Sequence, residues 1–500
     1  MKRWMMFGVL AVLMLVLVAC GAGQDVLHAK VSSALTEEVC NYPRLHALAT
    51  SNDPSVATNQ VRLDAIGRQF DSATLGMSVN RWPVGNTGLT VTQYLEKVAP
   101  NMLRWVYLPG GFWWPAGTFD CKNHAQMCAV QAVIKDDDWM RKADGSYVTI
   151  SGAAQRFLNP TTGVQGRIGA VLEGWLPTSG YDAVHWDLMT PTLDRDGGNV
   201  DLDGNGISDR VERGLLWLDA VWQAGHGERL GAMGPTLDVG NGAWQPGGSV
   251  YRTWLDGAFI ELGHAWRTPT TGLWGPGRGE MLLWQLEQAQ GWLKAQPTGR
   301  LQWVVSTTLP QDAYWSRYWN DYADAQRVGF AMAALTDGEL VVQSPVMPGW
   351  CDECGVVVAS ASSATAGAGD WLGCARGPAT CKGDLCSREF DGGMVFVNLG
   401  ASAVTVAAPS GFRTIKGWYD PDYNNGLAWD GTLGGHMARV LVRTAVTPTP
   451  TQASKPTPTP TAGPVIGPPR RTPTATPTTS IEERLRKLEG RVDALETRVP

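Results

Sequence analysis

The chain has 500 residues, a formal net charge of −6 and a pI near 5.7. No basic patch is interleaved with aromatics, so a nucleic-acid partner is not expected. Its 23 Trp outnumber the 11 Tyr and 10 Phe together. Most of them should serve packing, but an indole face also stacks on the apolar face of a sugar.

The first twenty residues place Lys2 and Arg3 before an apolar run, then small residues and Cys20. The run is shorter than the ~18–20 apolar residues a membrane span needs, so it is expected to be a signal peptide (1–20). "LVAC" at 17–20 has the pattern of a bacterial lipobox. It predicts lipidation of Cys20 and tethering to the extracellular face of the bacterial membrane, with no other spanning segment. Residues 21–61 are expected to be an N-terminal extension. Eight cysteines remain in an oxidising compartment, an even number that predicts disulfides. Cys121 and Cys128 are close enough to pair within one loop, whereas the Cys351, Cys354, Cys374, Cys381 and Cys386 cluster leaves its connectivity open. "CDEC" suggests zinc, but the later spacings do not repeat a C-x-x-C.

Residues 62–345 alternate apolar strands with helical patterns, which predicts a (β/α)8 TIM barrel in the α/β class. "LGMSVNRW" is the candidate first strand and "MLRWVYL" the second. "GGFWWPAG" follows the latter and looks like a pocket wall bearing Trp113 and Trp114. A helix near residues 164–175 leads into "YDAVHWD", and a second carries Val211, Leu215, Leu218 and Trp222 at helical spacing. "TLDVGNG", "GAFIELG", "LQWVVSTTL" and "GELVVQ" are further strands. Two of these short apolar runs end on a carboxylate, Asp187 and Glu261. In such a barrel the strand C-termini carry the chemistry, and two carboxylates are the minimum for cleaving a glycosidic bond. The spacing suits Asp187 on the fourth strand and Glu261 on the sixth. Asp182 and Asp256 begin their strands and are expected to serve turns. Asn80, Arg81, Tyr107, His185, Asp238, Asn241 and His264 are candidates for holding sugar hydroxyls. The expected substrate is therefore a carbohydrate, with no organic cofactor.

Between these strands lies "DLDGNGISDRVE". Asp201, Asp203, Asn205, Asp209 and Glu212 occupy positions 1, 3, 5, 9 and 12 of an EF-hand-type loop, with Gly206 at the turn. Hard oxygen ligands at that spacing predict structural Ca2+, and the preceding "DRDGGN" offers Asp194 and Asp196.

Residues 346–387 form a Cys-rich connector, and 388–446 alternate strand and turn signals, predicting a small β-sandwich-like antiparallel domain. Residues 447–480 are Thr/Pro-rich and predict an extended, disordered linker. Residues 481–500 form a heptad helix with Ile481, Leu488 and Leu495 at d and Leu485, Val492 and Val499 at a. Glu at every e and Arg at every g predict weak parallel self-association, a coiled-coil dimer or trimer.

"RFLNPTTGVQGRIGAVLEGWLPTSGYDAVHWDLM", "YRTWLDGAFIELG" and "FDGGMVFVNLG…RTIKGWYDPDYNNG" resemble a glycoside hydrolase family named hypothetical glycosyl hydrolase-like family 15. It is related to the α-galactosidase and polygalactosaminidase barrels. The resemblance covers about residues 62–444 and is most specific at the strand bearing Asp187 and the "NPT" before its helix. It implies Asp187 as nucleophile and Glu261 as acid/base, where α-galactosidases usually carry Asp. Retaining hydrolysis requires one ionised and one protonated carboxyl, and Phe259 and Ile260 are the apolar neighbours expected to favour a protonated Glu261. The alternative is a non-catalytic carbohydrate-binding or adhesion protein on the same scaffold.

Overall fold

The computed structural model describes residues 42, 44–50, 54–150, 154–193, 199–234, 236–243, 245, 248–262, 281–295, 300–304, 322–342, 352–353, 371–417 and 420–444. Cys20, Cys351, Cys354, Asp194, Asp196, His264, the Thr/Pro-rich segment and the heptad helix lie outside them. No helix among the described residues is long and apolar enough to cross a membrane.

Eight parallel strands close a barrel in chain order. They are β1 (Leu45–Ala49), β2 (Ser72–Gly76), β3 (Leu103–Pro109), β4 (Ala183–Asp187), β5 (Leu237–Asn241), β6 (Gly257–Glu261), β7 (Arg300–Val304) and β8 (Glu339–Val342). β8 closes on β1, with Leu45 opposite Leu340. The strands are almost wholly buried because helices cover their outer faces. These are α1 (Gln60–Gln69), α2 (Val91–Val98), α3 (Val164–Ser179), α4 (Leu215–Met233), α5 (Met281–Ala295) and α6 (Tyr322–Leu335). A six-residue 3-10 turn (Gly248–Thr253) joins β5 to β6 instead of an α-helix.

The side-chain period of two sorts each strand into an inner and an outer set. Val184 and Trp186 of β4, Ala258 and Ile260 of β6 and Trp303 of β7 face outward and are buried in the main core. Inside, Leu103, Trp105, Ala183, Leu237 and Val239 form an apolar cluster across β3, β4 and β5. The opposite side, on β1, β2, β7 and β8, carries a polar layer of His46, Ser72, Thr74, Gln302 and Glu339, beside an apolar cluster of Leu48, Phe259, Val304 and Val341.

The structure moves the start of the barrel. β1 lies within the stretch expected to be an N-terminal extension; the expected second strand is β3, whereas the expected first strand, 75–82, overlaps β2 only at Leu75 and Gly76 and continues into a turn and a 3-10 helix at Val79–Arg81. Among the described residues of 110–163 there is no barrel strand. That run is an excursion in which Phe112–Trp113 pairs with Arg156–Phe157, and the Cys121–Cys128 disulfide spans 5.5 Å between Cα atoms. The two differences cancel, so Asp187 still ends the fourth strand and Glu261 the sixth. The β4–α4 connection carries its own short strand, Val200–Asp201, which pairs with Arg141–Lys142 of the first excursion.

After β8 the chain builds a five-stranded antiparallel sheet, Thr380–Lys382, Leu385–Glu389, Gly393–Asn398, Ala438–Arg443 and Phe412–Thr414 in spatial order. It begins inside the stretch expected to be a connector. Its second layer is only a two-stranded ribbon, Val404–Thr405 with Thr432–Leu433. Cys381 and Cys386 are cross-strand partners bonded to each other, and Cys374 is also disulfide-bonded, so none of the three is a zinc ligand. Arg327 of α6 ties this region to the barrel. Buried at 1% exposure, it donates to Glu353, Asp324 and Asp420, each at 2.7 Å, and lies 3.9 Å from the centre of the Tyr423 ring.

Candidate active site

The C-terminal mouth of the barrel gathers the ends of β3 to β6. Asp187 is the last residue of β4 and faces inward, in step with Ala183 and His185. Three donors converge on its carboxylate. The backbone N–H of Leu188 donates to Oδ1 at 2.9 Å, Asn241 Nδ2 at the end of β5 donates to the same oxygen at 3.1 Å, and the Tyr107 hydroxyl of β3 completes the set. Glu261 ends β6 on the same inward phase as Phe259, and its charge also reaches Tyr107. Burial, then the charge and hydrogen bond of Asp187, then the charge of Glu261 push the Tyr107 hydroxyl well above its ordinary value. Tyr107 is therefore a protonated donor at any physiological pH.

Backbone geometry holds Asp187 as firmly as its partners do. Leu188 adopts φ 56°, a left-handed conformation uncommon for a residue with a side chain. Behind it, the N–H of Gly110 donates to the Asp187 carbonyl at 2.6 Å. A Cβ at Gly110 would lie 2.5 Å from that oxygen, so only glycine allows this approach.

Beneath this layer His185 is buried, its ring 4.4 Å from that of Phe259 and 5.3 Å from that of Tyr107. Its Nδ1 meets Thr74 Oγ1 at 3.3 Å. Thr74 in turn meets His46 Nε2 at 2.8 Å, and His46 Nδ1 meets Ser72 Oγ at 2.5 Å. Ser72 and Gln302 both donate to Glu339, which also takes Arg300 at 2.7 Å. Burial alone would raise the Glu339 carboxyl, but His46, Arg300 and Ser72 outweigh it and hold it at about 2. This network was not expected. The available signal was the polar residues at alternate positions of β1, β2, β7 and β8.

Burial, with a smaller contribution from the charge of His46, brings the His185 imidazole down to about 3. Burial, with Arg229 nearby, does the same to His226 of α4. Unfolded, both return to about 6.5. The native state therefore binds fewer protons, and the stability these two neutral rings represent is complete above pH 6.5 and lost as pH falls towards 3. Each ring should cost about 1.4 kcal/mol per pH unit across that window. Denaturant unfolding between pH 7 and 4 is expected to show this slope, and His226→Gln should reduce it by one ring's share. An unchanged slope in the variant would contradict the assignment.

Several expected sugar contacts are placed elsewhere. Asp238 faces outward from β5 and accepts the Trp186 indole N–H at 2.9 Å. Its carboxyl is raised well above the usual range by burial and by Asp256. Counting inward from Asn241 in steps of two explains its direction. Trp113 is fully buried in the main core, whereas Trp114 is partly buried with its ring edge-on to Trp113 and Phe119. Asn80 is a brace: its Nδ2 donates to the Ser179 carbonyl at 2.8 Å and its Oδ1 accepts the Thr92 N–H at 3.0 Å. Arg81 contacts His124 and stacks 3.6 Å above the Trp82 ring. Ile260 packs in the outer layer, so of the expected apolar neighbours only Phe259 shares the face of Glu261. Asp182 and Asp256, expected to serve turns, bond across to neighbouring strands instead. The first holds Arg104 through paired bonds of 2.8 and 2.9 Å, and the second accepts the Asp238 N–H at 2.9 Å.

The fold and the mouth define an eight-stranded α/β barrel with two inward carboxylates at the C-terminal ends of its strands. No protein-family model matches the chain, and no curated protein matches it in sequence. Similar solved structures include a trehalulose synthase, 13% identical with a TM-score of 0.42 over 80% of this chain and 99% of that one. An α-amylase from Geobacillus thermoleovorans is 11% identical, with a TM-score of 0.38 over 80% and 97%. An α-galactosidase from Thermus thermophilus is 12% identical, with a TM-score of 0.33 over 61% and 58%. All three are carbohydrate-active enzymes.

Proposed function

We propose that the chain is a retaining glycoside hydrolase, with Asp187 as nucleophile and Glu261 as acid/base. The observation that carries this reading is the placement of both acids at the inward-facing C-terminal ends of β4 and β6, with the Tyr107 hydroxyl bonded to Asp187 and within reach of the charge of Glu261. In the first step an Asp187 oxygen bonds to the anomeric carbon as the glycosidic C–O bond breaks, and Glu261 gives its proton to the departing oxygen. In the second, Glu261 takes a proton from water, and that water displaces Asp187 from the sugar. Asn241, Tyr107 and the Leu188 N–H hold the nucleophile in one orientation, which lowers the entropic part of the barrier. His185 and Phe259 form the floor of the site. The lipidation signal at Cys20 extends the reading to a membrane-tethered enzyme acting on external oligo- or polysaccharide.

The test is a panel of aryl glycosides and oligosaccharides, with the anomeric configuration of the first product followed by proton NMR. Net retention at one sugar type is the expected outcome. Inversion would make Asp187 a base rather than a nucleophile. Binding without turnover, at full occupancy, would replace the hydrolase with the carbohydrate-binding alternative.

A further inference from the structure

The acidic loop that follows Val200–Asp201 takes no part in that reaction, yet it is built around a buried charge. Asp209 is fully buried. Its Oδ2 accepts the Leu202 N–H at 2.6 Å, while its Oδ1 has no hydrogen-bond partner among the described residues and faces the Arg213 Nε at 3.3 Å. A carboxylate oxygen inside a protein without a hydrogen bond is costly unless a cation faces it. Carboxylate oxygens of Asp203, Asp209 and Glu212 all lie within 4.8 Å of one another. Arg213 pairs with Asp203 and Asp209 and lies 4.5 Å from the centre of the Trp217 ring, while Glu212 accepts Asn205 Nδ2 at 3.0 Å.

The loop backbone is already set for a larger charge. The Asp201 carboxylate accepts the N–H groups of Gly204 at 2.7 Å and Gly206 at 2.8 Å. Gly206 has φ 85°, and a Cβ there would meet nothing within 4 Å, so backbone conformation rather than space calls for glycine. We propose that this loop binds one Ca2+ through Asp203, Asp209 and Glu212, with Asp201 and Asn205 completing the oxygen set, and that Arg213 is the cation the metal displaces. Ca2+ suits five side-chain oxygens on a flexible loop, whereas Mg2+ demands a near-ideal octahedron and gives up its water reluctantly. The Leu202 carbonyl accepts Asn159 Nδ2 at 2.8 Å, just before α3, so the metal would tie the β4–α4 connection to the helix that feeds Asp187.

The experiment is a calorimetric titration of the chelator-treated full-length protein with CaCl2 and, separately, MgCl2, paired with melting curves. One Ca2+ per chain is expected, with a melting temperature that rises with Ca2+ concentration and a much weaker response to Mg2+. Glu212→Gln and Asp203→Asn should each weaken binding by at least about tenfold. Arg213→Ala should tighten it several-fold, because the competing guanidinium is gone. Neither heat nor a melting shift up to about 10 mM Ca2+, beyond the weakest sites of this type, would overturn the proposal. So would an Arg213→Ala chain that gains no affinity, which would make Arg213 the permanent partner of these acids. Since no hydrolysis is read, failure of the catalytic assignment leaves this result interpretable.

Discussion

Asp187→Asn is expected to lower kcat/KM on any hydrolysed glycoside by a factor on the order of 10³ or more, with the melting temperature little changed. Asparagine fills the same space and keeps an acceptor for the Asn241 and Leu188 donors, but an amide oxygen does not form the glycosyl ester. Glu261→Gln should behave differently. The loss should be about 10²–10⁴-fold for substrates with poor leaving groups and smaller for nitrophenyl glycosides, whose departure needs little proton donation. Tyr107→Phe removes one donor from Asp187 and should cost roughly 10–10²-fold, less than either carboxylate. Kinetics on one natural-type and one activated substrate separate the three. An Asp187→Asn enzyme that retains turnover, or a Glu261→Gln enzyme with the same loss on both substrates, would remove the respective role.

The largest effect on stability is expected at Arg327. Arg327→Met leaves the carboxylate of Glu353, itself 2% exposed, without its guanidinium, although Asn424 Nδ2 still donates to it at 2.8 Å. Removing one partner of a buried ion pair costs about 3–5 kcal/mol, because the other charge stays buried. Arg327→Met combined with Glu353→Gln removes both charges and should be less damaging than Arg327→Met alone. Thermal and denaturant unfolding of the three chains measures this. A double variant as unstable as the sum of its single changes would mean that Arg327 acts through packing on Tyr423 rather than through its charge.

The two carboxylates were legible in the sequence because their signal is local: a five-residue apolar run with an acid at its end. β1 was not. Its "LHALA" is short and interrupted by His46, and its identity depends on pairing with Ser72–Gly76 and Glu339–Val342, far away in the chain. Trp113 was misread because a two-residue strand has no period from which to infer a direction. Asp238 could have been placed by parity, since Leu237, Val239 and Asn241 share one phase and Asp238 the other. The polar layer of the barrel interior was legible in the same way, through His46, Ser72, Thr74, Gln302 and Glu339. The left-handed Leu188 and the close approach at Gly110 were not, because no residue type announces a strained leucine.

The closure of the barrel also governs the order in which it can be assembled. β1 is the first barrel strand to be synthesised and can pair with β2 early, but its other edge waits until β8 has been made. Until then the growing sheet carries two open edges, the arrangement most prone to pairing with another chain. A shortened protein starting at residue 62, as the sequence pattern alone would recommend, keeps those edges permanently. Such a chain is expected to aggregate during production for want of the five residues of β1, and the shortest useful version must begin before Tyr42.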